Sequence, residues 1–292
     1  MVKSISTYII ALALSVITLF SCTETIDMDY TTDFERLVVD AQILDGDTIH
    51  YVKLSKINLS AEDGIVSPIS TAVVSISDDE NTVVFAESDT TKGLYLAPDY
   101  FRGEYGKNYT LTISETEIKG TDGNDFYTAS AKMGMPFTID SIAADYYNIP
   151  QFGMLGYMLS CWAVEPPERN YYLFKAWKNG VLLTDTLYEY QQTDDIIFNN
   201  TYINGADCVF LQDEKPDEFI ESGDTLCLEI NDIDKAFYDY LNSAQKEYWG
   251  SNPLFGGPPA NVISNVSNGA VGIFRVYSVN RKTMILEKAE RY

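Results

Sequence analysis

Short apolar alternations, each closed by a turn-forming cluster, run from Arg36 onward and constrain the fold more than any other feature of the chain. Successive side chains of an extended strand point to opposite faces, so a period of two buries one face and leaves the other to water. Leu37-Val38-Val39-Asp40-Ala41 is the first such segment. Asp45-Gly46-Asp47 then turns the chain into Ile49-His50-Tyr51-Val52-Lys53-Leu54, where Tyr51 and Lys53 alternate with Val52 and Leu54. Ala72-Val73-Val74-Ser75-Ile76 and Thr82-Val83-Val84-Phe85 flank an acidic turn, Asp78-Asp79-Glu80-Asn81. Gly93-Leu94-Tyr95-Leu96, Tyr109-Thr110-Leu111-Thr112-Ile113 and Phe126-Tyr127-Thr128-Ala129 continue the series.

About seven strands in roughly 100 residues is the pattern of an immunoglobulin-like β-sandwich, expected over residues 36–135. Met135-Pro136-Phe137 marks a boundary, and a second β-rich domain is expected over residues 136–292, beginning with Thr138-Ile139-Asp140-Ser141-Ile142. Its strands are more aromatic: Tyr157-Met158-Leu159-Ser160-Cys161-Trp162, Tyr171 to Trp177, and Thr225 to Ile230. One helix is expected near 232–249, because Ile233, Phe237, Tyr240, Leu241, Ala244 and Tyr248 trace a single helical face. Asn231 or Asp232 is placed to cap its start, Lys246 to meet the negative end of its dipole and Gly250 to end it. The expected fold is therefore mainly β, an N-terminal sandwich followed by a β-rich domain carrying one amphipathic helix.

The start of the chain carries a different pattern. Lys3 precedes an apolar run from Tyr8 to Phe20 that is broken only by Ser15 and Thr18, the length of a signal h-region. The run is shorter than the roughly 20 apolar residues that span a bilayer, and polar residues follow at once in Thr23-Glu24-Thr25-Ile26-Asp27. Leu19-Phe20-Ser21-Cys22 resembles a bacterial lipobox, with Phe20 bulkier than the usual residue there. Residues 1–21 are thus expected to be a lipoprotein signal peptide, Cys22 the lipidated residue, and residues 22–35 a tether. Acyl chains such as palmitate on Cys22 would each contribute about 0.8 kcal/mol per buried CH₂, enough together to anchor the protein without a helix.

Composition narrows the partners. The formal net charge is −23, which argues against nucleic acid. The acids are scattered over turns such as Asp45-Gly46-Asp47 and Asp122-Gly123-Asn124-Asp125, as on a solvated surface. With Cys22 acylated, Cys161, Cys208 and Cys227 remain, so at least one thiol stays unpaired. Cys208 and Cys227 lie in neighbouring expected strands and either pair or, like Cys161, serve as small buried apolar side chains.

Candidate chemistry is sparse. His50 is the one histidine, so any Ser-His-Asp or Cys-His mechanism must run through it; the alternative is a surface or half-buried strand histidine. No Cys-x-x-Cys pair is present for zinc, and no catalytic or metal-ligating residue is assigned. Paired carboxylates could serve glycoside hydrolysis at separations of about 5 to 10 Å, but with 43 acidic residues no pair stands out. No cofactor is expected, although acidic turns meeting around a Ca²⁺ ion stay open. Gly256-Gly257-Pro258-Pro259 reads as a rigid bend. Phe255, Asn261, Asn265, Asn268 and Phe274 offer amide donors and aromatic faces for a ligand or partner loop, and equally suit tight turns. Trp162, Trp177 and Trp249 form either a sugar-stacking platform or, for at least two of them, core.

Several motifs in order resemble a family of Bacteroidota outer-membrane lipoproteins known as a domain of unknown function (DUF4249-like). They are Leu37-Val38-Val39-Asp40, Gly93-Leu94-Tyr95, Tyr105-Gly106-Lys107-Asn108-Tyr109-Thr110-Leu111 and Met135-Pro136-Phe137, then Tyr238-Asp239-Tyr240-Leu241, Asn252-Pro253-Leu254-Phe255, Asn261-Val262-Ile263-Ser264-Asn265 and Asn268 to Phe274. The resemblance implies an N-terminal sandwich, a second β-domain, and association with TonB-dependent outer-membrane transporters; it brings no catalytic residues. The expected function is a non-enzymatic outer-membrane lipoprotein assisting nutrient capture or uptake, on the periplasmic or the cell-surface face. The alternatives are a surface hydrolase of glycan or peptide working through carboxylates, and a structural or adhesive surface protein.

Overall fold

The computed structural model describes residues 35–46, 48–58, 66–119, 125–135, 137–250 and 262–289. The signal peptide, most of the tether and Cys22, Phe255 and Asn261 lie outside the described residues.

The first strand, β1 (Glu35–Leu44), alternates strictly between buried and half-buried positions. Leu37, Val39, Ala41 and Ile43 point into a core, and Val38, Asp40 and Gln42 point away from it. The strands β2 (Tyr51–Asn58), β3 (Val66–Pro68), β4 (Val73–Ser77), β5 (Thr82–Glu87), β6 (Leu94–Leu96), β7 (Asn108–Ser114) and β8 (Phe126–Lys132) follow, all but the short β3 where the alternation places them. Side chains of β1 and β2 meet those of β4, β7 and β8 in one apolar core, the two-layered sandwich that the rhythm implies.

Beyond Met135 come β9 (Ile139–Ile149), β10 (Met154–Val164), β11 (Tyr171–Lys178), β12 (Val181–Leu182), β13 (Gln191–Asp194), β14 (Tyr202–Gln212) and β15 (Thr225–Ile233). The helix α1 (Lys235–Gly250) and the long strand β16 (Val271–Ile285) complete the described chain. Strands β14, β10 and β9 form a separate three-stranded sheet. It packs on β11 and β15 to make a second core around Leu159, Cys161, Tyr172, Leu228 and Ile230.

One strand joins the two regions. The first half of β16 runs parallel to β1, from Val38 opposite Val271 to Leu44 opposite Tyr277. Its second half runs antiparallel to β15, from Ile233 opposite Tyr277 to Thr225 opposite Ile285. The sheet path is therefore continuous, β12-β11-β15-β16-β1-β2-β6-β5-β4-β7-β8, with β13 also on β11 and β3 on β2. Phe274 and Val276 of β16 are buried in the first core, so the sandwich takes a strand from the far end of the chain as well as β1 to β8.

The helix starts three residues later than the expected 232, because Asn231, Asp232 and Ile233 continue β15. Asp234, the first residue off the strand, caps it: its Oδ1 accepts the Phe237 N–H at 2.8 Å. Phe237 and Leu241 seat the helix on Tyr171, Leu173, Ile273 and Tyr277. Tyr248 and Trp249 are exposed at its far end, so the apolar face does not run its expected length. None of the three tryptophans is core. Trp162 and Trp177 occupy half-buried positions, where their indole N–H groups reach Asn204 at 2.9 Å and Glu229 at 3.0 Å. Cys208 and Cys227 sit in different sheets and are unpaired, with Cys161 and Cys208 buried as small side chains of the second core. Among the described residues no helix is long and apolar enough to cross a membrane.

Gly272 lets β16 approach β1. It has φ +101°, and a Cβ there would lie 1.9 Å from the Val39 carbonyl oxygen. Gly269, in the preceding turn, has φ +71° with no atom within 4 Å of such a Cβ. Gly272→Ala should therefore cost at least about 3 kcal/mol through backbone overlap and strain, against about 1 kcal/mol for Gly269→Ala. Equal losses in denaturant unfolding of the two variants would show that the β1–β16 approach is not what Gly272 serves.

Candidate functional site

Alternation gives the large sheet a second face opposite the two cores. Asp40 and Gln42 of β1, Leu173 and Lys175 of β11, and Arg275 and Tyr277 of β16 lie on it. The helix and the single turn at Leu187–Glu189 cover part of this face, enclosing a cavity of about 300 Å³ whose roof includes Leu187, Tyr190, Phe237 and Tyr240. Asp40 and Gln42 also line an adjoining groove of about 510 Å³ that reaches Tyr51, Lys53 and Leu94.

Arg275 is the centre of the pocket floor. Its Nη1 donates to Asp40 Oδ1 at 2.7 Å, its Nη2 to the Tyr51 hydroxyl at 2.7 Å and its Nε to Gln42 Oε1 at 3.2 Å. Gln42 Oε1 also accepts from the Tyr277 hydroxyl at 3.2 Å. Lys175 stands 5.5 Å from the centre of the Tyr277 ring and 3.4 Å from Glu229. Burial works against its charge, but the neighbouring Tyr277 and Glu229 outweigh it and hold the ammonium above its ordinary pKa. Two fixed cations among tyrosines and a phenylalanine make a site that recognises polar or charged ligands carrying a flat apolar part. A weak signal in the sequence marks these residues: Lys175 interrupts an aromatic core strand, and Arg275 sits between Phe274 and Val276.

His50 lies elsewhere. It is buried, not the surface or half-buried strand residue expected, and sits just before β2 with its ring edge-on to Phe101 at 5.2 Å. Its Nδ1 accepts the Leu44 N–H at 3.3 Å. A catalytic triad needs one ring nitrogen as base and the other donating to a carboxylate. A main-chain donor on Nδ1 is incompatible with either assignment of that nitrogen.

A family model described as a domain of unknown function (DUF4249) matches residues 23–283. The chain belongs to that family. No curated protein matches it. The matched stretch contains every residue of the pocket, from Asp40 to Tyr277.

Of the residues singled out for binding, Asn265, Asn268 and Phe274 are described. The first and last are brought together, facing the fold. Asn265 Nδ2 donates to the Phe274 carbonyl at 2.7 Å and its Oδ1 accepts the Phe274 N–H at 2.9 Å, as a neighbouring strand would. The Phe274 ring is fully buried. Asn268 is exposed in the turn before β16 with φ +58°, a conformation that asparagine tolerates. Among the described residues no three His, Cys, Asp or Glu side chains are placed together to hold a metal ion.

The acids that do collect are buried between β10, β11, β13 and β15. Tyr172 donates to Glu165 at 2.8 Å, the Asn170 main chain to Asp195 at 2.9 Å and its side chain to Asp232 at 3.1 Å. Glu165 Oε2, Asn170 Oδ1 and Asp195 Oδ1 have no protein donor. Burial raises the carboxyl of Glu165 and pushes Asp232 up to about 7, partly offset there by the hydrogen bonds from Asn170 and Met135. Protons thus supply what nearby cations do not. An acid whose folded pKa exceeds its unfolded value binds more protons in the native state, so its contribution to stability falls as pH rises through that interval. For Asp232 the interval runs from 3.8 to about 7. The stability advantage of Asp232→Asn over the parent should grow across it, by up to about 1.4 kcal/mol per pH unit, and level off above. A pH-independent difference in denaturant unfolding would mean that Asp232 is ionised throughout.

Proposed function

We propose that this DUF4249 protein is a non-enzymatic lipoprotein, held in the outer membrane by acylated Cys22, that captures a small ligand under α1 and assists its uptake by a TonB-dependent transporter. The pocket carries this reading: it is preformed, partly enclosed, and floored by two cations set among aromatic rings. Such a site binds before it does anything else. The lipobox-like Leu19-Phe20-Ser21-Cys22 supports the anchor, and the family match begins at residue 23, directly after that cysteine. A partner is supported by the end of the molecule where β10 and β14 meet. There Ile196, Ile197 and Phe198 are exposed beside Val164 and Tyr202, which pair across the two strands. Contiguous exposed apolar side chains of this kind are commonly covered by another protein.

Mass spectrometry of the lipoprotein purified from gently solubilised outer membranes should find a TonB-dependent transporter in stoichiometric amount. Ile197→Asp should reduce that recovery several-fold, and Cys22→Ala should move the protein out of the detergent phase. Residence in the inner membrane, or recovery of the protein alone, would remove the basis of the uptake reading.

A further inference from the structure

The pocket face holds more positive charge than the fold neutralises. Among the described residues three cations form ion pairs along it, Arg275, Lys175 and Arg281, with only two carboxylates, Asp40 and Glu229. Asp40 is taken by Arg275 at 2.7 Å. Glu229 is shared, with Oε1 3.4 Å from Lys175 and Oε2 2.8 Å from Arg281. One positive charge is left over in a chain whose formal net charge is −23. Arg281 is 56% exposed and shares Glu229 at the open edge of the face, whereas the Lys175 side chain is only 13% exposed and that of Arg275 18%, so the two cations of the pocket are the ones that water serves least. A half-paired buried cation is costly unless something completes it.

Donors are also left over. A guanidinium carries five N–H groups, and three from Arg275 go to Gln42, Asp40 and Tyr51. Arg275 and Lys175, whose ammonium is shared between Glu229 and Tyr277, both line the cavity. Facing them are Phe237 and Tyr240 of α1 and Tyr190 of the turn.

Resting on the ligand-capture reading above, we propose that the pocket takes a small organic monoanion: a carboxylate between Lys175 and Arg275, carried on a ring or short apolar body packed against Phe237, Tyr240 and Tyr190. A single negative charge cancels the surplus. A phosphate monoester, with a charge of about −1.5 to −2, overshoots it and meets Asp40. A neutral ligand leaves the surplus in place. The volume of about 300 Å³ lies at the small end of ligand sites, and a longer body has room past Asp40 and Gln42 in the adjoining groove.

The test is calorimetric titration of the full-length lipoprotein in detergent with 4-hydroxyphenylacetate, its neutral amide, and 4-hydroxyphenyl phosphate. The acid should bind at least tenfold more tightly than the amide and more tightly than the phosphate. Lys175→Met should lower affinity for the acid at least tenfold and for the amide by much less. Arg281→Met gives an independent arm, because Arg281 does not line the cavity: its loss frees Glu229 to neutralise Lys175, and acid binding should weaken several-fold. Equal binding of acid and amide, tightest binding of the phosphate, or no acid binding at millimolar concentration would overturn the proposal. A transporter recovered with a protein that binds no acid would sink the ligand class alone. Acid binding without a transporter would sink the uptake partner alone.

Discussion

The fold depends on β16 serving two neighbours at once. Tyr277 is the pivot, opposite Leu44 of β1 in a parallel ladder and opposite Ile233 of β15 in an antiparallel one. Parallel neighbours cannot be joined by a hairpin and need a long crossover. Here everything from β2 through α1 lies between the two strands, and it builds a second core on the way. Gln42 and Arg275, which touch across this ladder, are 233 residues apart in sequence. Contacts of that range are made late in folding, after loop closure has been offset by local pairing. The sheet of the sandwich is complete only with β16 beside β1, and Gly272 is the residue that lets the two backbones come together.

The binding face is a by-product of the same alternation. When Phe274 and Val276 enter the first core, Ile273, Arg275 and Tyr277 must emerge on the other side, beside Asp40, Gln42 and Leu44. A sheet face carrying arginine, aspartate and glutamine would ordinarily be solvated. The helix laid over it by Phe237 and Leu241 turns part of it into a partly enclosed site and brings the Phe237 ring to 5.9 Å from the Arg275 guanidinium. Cavity, charge and cover are thus consequences of strand parity and helix placement.

The strands were legible because period-two alternation is local, and the sandwich followed from their number and spacing. The helix was legible in Phe237 and Leu241, but its start was placed too early because Ile233 fits the end of a buried strand as well as the face of a helix. The shared strand was invisible for a physical reason: nothing in Val271 to Tyr277 distinguishes a strand that pairs with its neighbour from one that pairs with the start of the chain. The site was hidden by the same long range. Asp40 and Lys175 fall in expected strands far apart in the sequence and Arg275 lies beyond the last of them, and only the topology makes the three neighbours. Asn265 and Phe274 were legible only as two of five residues suited to a ligand or to tight turns. Their amide and ring serve the entry to β16, which the residue types alone could not separate from a ligand contact.

Register ties the site to the weld. On β11 the odd positions Leu173 and Lys175 face the pocket, while Asn170 and Tyr172 face the buried acids on the opposite side. Two incompatible charge environments are thus kept apart by one sheet thickness and by parity. A slip of one residue in β16 would bring Phe274 or Val276 under α1, send Arg275 into the apolar core of the sandwich and separate it from Asp40. Such a slip is opposed from both sides: by the burial of Phe274, by the Asn265 amide bound to its main chain, and by the close fit of Gly272 on Val39. The contacts that secure the sheet are therefore the ones that hold the guanidinium in place, and selection for a stable β1–β16 ladder also preserves the geometry of the pocket.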